Sequence, residues 1–185
     1  MSIRAKLISS SLIVATVLGL LSTPVSAAVI SGPSDLPNLI SGHSNTGLRI
    51  TANQDTTLDS FVYWNQGPDE TIFLRNDLTG ETLFSIFVVT DSLQQFVDVD
   101  WMLEAGQTYR LMIDSSNGRW ASNGTPSSNA DITVNVAFYS GNDISGYWSS
   151  FTQITTAASS QVPEPGTLAL VTLSLAGLVL RKRRR

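Results

Sequence analysis

From Leu48 onward, apolar and polar residues alternate with a period of two. Leu48, Ile50 and Ala52 are separated by Arg49 and Thr51, as in a strand with one buried face. Thr57 to Trp64 is β-branched and aromatic, and Gly67-Pro68-Asp69 closes it as a turn. Glu70 to Arg75 sets Ile72 and Leu74 on one face and Phe73 and Arg75 on the other. Asn76-Asp77-Leu78-Thr79-Gly80 supplies the residues of a short hairpin loop. Glu81 to Thr90 is apolar on both faces, which predicts a central strand covered from both sides. Gln95 to Trp101 alternates again, with Val97, Val99 and Trp101 inward and Asp98 and Asp100 outward. Thr108 to Asp114 places Tyr109, Leu111 and Ile113 on one face. Ser115 to Ala130 is rich in Ser, Asn and Gly and reads as a loop, after which Asp131 to Tyr139 turns Ile132, Val134, Val136 and Phe138 inward.

Seven or eight short strands spaced roughly ten residues apart predict an all-β fold, an antiparallel β-sandwich of jelly-roll type. The connections are too short for the crossover helices that parallel strands need. The sandwich domain is assigned to residues 28–152. Gln153 to Gln161, polar and small, reads as a flexible linker.

Both ends differ from this pattern. Arg4 and Lys6 precede a mostly apolar stretch from Leu7 to Leu21, then Pro24 and the small-residue run Val25-Ser26-Ala27. That order predicts a signal peptide over residues 1–27, cut by signal peptidase after Ala27. At the other end Val162-Pro163-Glu164-Pro165-Gly166-Thr167 leads into an apolar run over residues 168–180 and then Arg181, Lys182, Arg183, Arg184 and Arg185. As a helix the run reaches only about 20 Å, against a bilayer core of ~30 Å. A short transmembrane segment with a basic stop suits a protein held at the membrane until it is cut, the logic of a removable hydrophobic tail.

In these residues the chain resembles the PEP-CTERM family of sorting signals. Pro163, Glu164 and Pro165 match the signature tripeptide, and the Leu/Ala/Gly/Val run and Arg-rich end follow in order over residues 162–185. The resemblance implies processing by an exosortase, a membrane-embedded, cysteine transpeptidase-like enzyme that recognises the tripeptide. It also implies a Gram-negative bacterium that secretes an exopolysaccharide. The expected route runs through an inner-membrane intermediate to the envelope, cell surface or biofilm matrix.

Charge narrows the partners. Between Ala28 and Ser160 there are four arginines, no lysine and fourteen acidic residues, a net charge of −10, whereas the whole chain carries −4. Such a domain repels phosphate backbones, which argues against nucleic-acid binding. The absence of cysteine removes disulfides, thiol catalysis and Cys-ligated zinc.

Few residues offer chemistry, and no catalytic residue is assigned. His43 is the lone histidine, in a Ser/Gly/Asn-rich segment without a nucleophile motif. Asp98 and Asp100 share an outward strand face with Cα atoms about 7 Å apart. A hydrolytic pair needs one carboxyl raised by an apolar pocket, and an outward face does not provide it. Their natural role is a charged face that keeps the sheet soluble. Calcium is the ion that such oxygen ligands would suit, with Asp114-Ser115-Ser116-Asn117-Gly118 as a second candidate, although that loop lacks EF-hand spacing. No metal site or other cofactor is assigned. The aromatic set Trp64, Trp101, Trp120, Trp148, Tyr63, Tyr139 and Tyr147 is a further clue. Trp101 ends an inward series and belongs to the core. Trp120, beside Arg119 and near Asn117, is the candidate sugar-binding residue, the alternative being that it folds over the sandwich edge. The expected function is that of a non-enzymatic exported surface or matrix protein. A carbohydrate-binding module, with or without calcium, is the alternative, and a hydrolase built on Asp98 and Asp100 the third reading.

Overall fold

The computed structural model describes residues 27–158, apart from 37, 40–42, 66, 116 and 123. The expected signal peptide up to residue 26 and the sorting segment 162–185, including the apolar run, lie outside the described residues. Fourteen strands make up the described part: β1 Ala27–Ser31, β2 Asn38–Leu39, β3 Thr46–Ala52, β4 Thr56–Trp64, β5 Glu70–Asn76, β6 Thr82–Val88, β7 Gln94–Leu103, β8 Thr108–Ile113, β9 Arg119–Ser122, β10 Ser127–Ser128, β11 Ile132–Tyr139, β12 Asn142–Ile144, β13 Tyr147–Ser149 and β14 Phe151–Ala158.

Three antiparallel sheets result. The first has the order β1-β14-β4-β7, the second β10-β11-β3-β8-β5-β6 with β12 beside β11, and the third, smaller one β13-β9-β2. The fold is all-β and sandwich-like, as the alternation predicts. The inward series are those read from the sequence: Leu48, Ile50 and Ala52, then Ile72 and Leu74, then Val97 and Trp101, and Tyr109, Leu111 and Ile113 are all buried in one core. The Asn76–Gly80 hairpin also holds, because the Asn76 side-chain oxygen accepts from the Leu78 and Thr79 N–H groups at 2.9 and 3.0 Å.

Four expectations change. Gln153–Ala158 is not a linker: it belongs to β14, an inner strand of the first sheet, paired with β1 on one side and β4 on the other. Residues 159–161 of the expected linker are outside the described residues. Polar side chains misled here, since buried Thr156 donates to an Asp131 carboxylate oxygen at 2.6 Å and so costs little inside. The segment Ser115–Ala130 is not all loop but contains β9 and β10. In β11 a bulge between Val134 and Val136 reverses the faces, so Ala137 enters the core and Phe138 turns to the outer side beneath the guanidinium groups of Arg49 and Arg110. Finally, β6 is the last strand of the second sheet rather than a central one, with Leu83 and Phe87 exposed.

Candidate functional site

Of the sugar-binding candidates, Trp120 and Arg119 lie on the central strand of the third sheet and Asn117 just before it. Trp120 lies on β9, opposite Asn38 of β2 and Ser149 of β13. It is half-buried, and its ring packs on Tyr147 with centroids 4.7 Å apart and planes at 53°. Successive strand residues point to opposite faces, so Arg119 turns the other way and is buried. The Arg119 N–H donates to the Ser150 hydroxyl at 2.9 Å, and its carbonyl accepts from the Ser150 N–H at 2.8 Å. Asn117 is half-buried, and its side chain lies so close to Gly67 that a Cβ there would meet it at 2.9 Å. The structure therefore brings Trp120 together with Tyr147, not with Arg119. Trp148 is a core residue with no exposed surface; its indole N–H donates to the Phe151 carbonyl.

Other candidates stand apart. His43 is exposed, its ring 4.4 Å from that of Tyr139. Asp98 and Asp100 are exposed on the outer face of β7, as the alternation predicts. Asp100 has a φ of 56° at a bulge, where Val99 and Asp100 together face the single residue Asp59. Among the described residues, no group of three or more His, Asp or Glu side chains is placed to hold a metal ion.

Three polar arrangements were invisible in the sequence. Arg49, Arg110 and Arg75 lie in register across β3, β8 and β5, a row of like charges on the outer face of the second sheet. The row is neutralised locally. Asp77 accepts from both Arg49 and Arg110, Asp143 pairs with Arg49, and Asp114 pairs with Arg75. These side chains are partly solvated, so the pairs contribute little to stability. In the second arrangement the buried Glu70 carboxylate accepts from the Tyr63 hydroxyl at 3.1 Å, the Ser115 hydroxyl at 2.7 Å and the Asn65 amide at 3.4 Å. Burial, reinforced by the Glu70 charge and hydrogen bond, pushes the Tyr63 hydroxyl far above its usual range. No local pattern announces this network, because its members come from β4, the turn after it, β5 and the segment after β8. The third is an open cleft of about 450 Å³ between β6 and β7, with Phe87 and Phe96 exposed at its lips. The Gln95 side-chain oxygen is buried in its lining without a partner among the described residues.

No curated protein matches the chain. Residues 161–185 match the family model of the PEP-CTERM protein-sorting motif. The motif lies where Pro163-Glu164-Pro165, the apolar run and the basic end predict it, and it marks a protein for export and for processing by an exosortase-type enzyme on the way to the envelope. The chain thus carries a PEP-CTERM sorting motif, which supports an exported, exosortase-sorted protein, beside an acidic all-β domain.

Proposed function

We propose that this protein is a non-enzymatic component of the cell surface or extracellular matrix, associated with exopolysaccharide and released from its membrane intermediate by exosortase. The sorting motif at residues 161–185 carries the reading. The domain supports it in two ways. Its outward carboxylates are dispersed over solvated faces, which suits a soluble, displayed module better than acid–base chemistry. Its one core, formed without cysteine, leaves the outer surfaces available to a partner. Mass spectrometry of the mature protein tests the sorting step. The expected result is loss of residues 168–180 with the basic end, and retention of that tail on the surface-exposed protein would overturn it.

Carbohydrate binding is the second reading, and the Trp120–Tyr147 pair favours it. Half-exposed aromatic rings stack on the apolar faces of sugars, and this pair joins the central strand of the small third sheet to its outer strand β13. Residues 27–158 are expected to bind the host's own exopolysaccharide, and Trp120→Ala to weaken binding at least tenfold with an unchanged thermal melt. Unchanged affinity would remove this aromatic pair as the site. Carrying out the titration with calcium and with chelator shows whether an ion takes part.

A further inference from the structure

The second sheet ends on a strand built like an interior one. β6, Thr82–Val88, contains neither a charged residue nor a proline. Its Phe84 turns inward and stacks on Trp101 of β7, with centroids 5.7 Å apart and planes at 8°. On the opposite face Phe87 is 62% exposed. The irregularity in its pairing with β5 falls at the Leu74/Arg75 step, so Phe84–Val88 stays regular. Only β5 pairs with it among the described residues, which leaves one backbone edge open.

Open edges in monomeric proteins are normally blunted by charge, proline, bulges or shortness. Two of its other outer strands are blunted, whereas β1, at the opposite edge of the first sheet from β7, is uncharged and regular. β7, the edge of the first sheet beside β6, carries Asp98 and Asp100 outward and a bulge at Asp100. β10, at the far edge of the second sheet, is only two residues long and follows Pro126. β6 has no such device over its regular length.

We propose that β6 pairs antiparallel with β6 of a second copy, about a two-fold axis near Ser85 and Ile86, so that the two second sheets become one. A two-fold contact presents the same patch from both sides, and an uncharged strand apolar on both faces is complementary to itself. Charge favours a second copy at this edge over one along β7. A domain of net charge −10 repels its own copy over most of its surface, whereas the seven residues of β6 bring no carboxylates together. Pairing along β7 would instead set Asp98 and Asp100 against their counterparts. The segments outside residues 27–158 join the domain at β1 and β14, on the far side of the first sheet from β7, so neither begins beside β6. The shortness of β10 closes the assembly at two copies rather than a filament. Placed this way, the strand takes the interior position that its sequence specifies.

The absence of cysteine makes the test specific. Ser85→Cys in the full chain, solubilised in detergent and treated with a short bismaleimide, is expected to give a covalent dimer. Leu78→Cys, at a hairpin position 93% exposed, serves as the control and is expected to give several-fold less. Adding Phe87→Lys to Ser85→Cys should reduce the yield to the control level with the melt unchanged; Val89→Lys, also at an exposed position, serves if that variant melts early. Equal yields at residues 85 and 78, or a dimer that persists in a folded lysine variant, would overturn the proposal. A cross-linked product whose mass is not that of two chains would also overturn it and assign the edge to another partner.

Discussion

A chain ended at Thr152 is expected to lose its cooperative unfolding transition, whereas one ended at Ser160 keeps it. Ending at residue 152 removes Gln153–Ala158, and with it most of the strand between β1 and β4. Ile154 and Thr156 are fully buried, so the loss opens the core as well as the sheet. β1 has no other strand partner among the described residues and would be released too. A domain holds only about 5–15 kcal/mol in total, and deleting an inner strand exceeds that reserve. Circular dichroism during a thermal melt decides between the outcomes. A sharp transition in residues 27–152 would show that the first sheet closes without β14.

Trp148→Ala should be the most damaging of the single tryptophan truncations. The ring has no exposed surface, packs so closely on Gly32 that a Cβ there would collide with it, and donates its N–H to the Phe151 carbonyl. Truncating a buried tryptophan costs about 3–5 kcal/mol. In a domain of this size the melting temperature should fall by roughly 10–20 °C. Trp148→Phe keeps most of the volume and should lose about half as much. A drop of only a few degrees for Trp148→Ala would mean that the β9–β13 layer contributes little to the core.

The sequence is legible wherever one face of a strand is buried and the other wet. β7 is the clearest case: Val97 and Trp101 are inside, Asp98 and Asp100 outside, and the spacing alone distinguishes them. β14 failed that reading because its interior positions include Thr156, whose hydroxyl group finds a partner only after distant strands assemble. Phe138 failed because a one-residue bulge exchanges the two faces, and no local signal marks it. At the candidate site, Trp120 was identifiable as an accessible aromatic in polar surroundings, but its partner was not. Tyr147 lies far away in sequence and reaches Trp120 only through the β9–β13 pairing. Arg119 was grouped with Trp120 as a neighbour in sequence, and the strand geometry of β9 separates them. The sorting motif needed no folding to be read, because another protein recognises it as linear sequence.

β14 also determines how the domain bears load. The chain leaves the sheet at the end of β14, where Ala158 pairs with Thr56, and the sorting segment follows. Any pull transmitted from an attachment on that side acts along the axis of a strand held by β1 and β4 at once. Hydrogen bonds between antiparallel strands run perpendicular to the strands, so such a pull shears two ladders together instead of unzipping them bond by bond. Forced unfolding is governed by the rate of crossing that barrier rather than by equilibrium stability. A module pulled through the end of β14 would thus resist force along that strand more strongly than a module that peels open bond by bond.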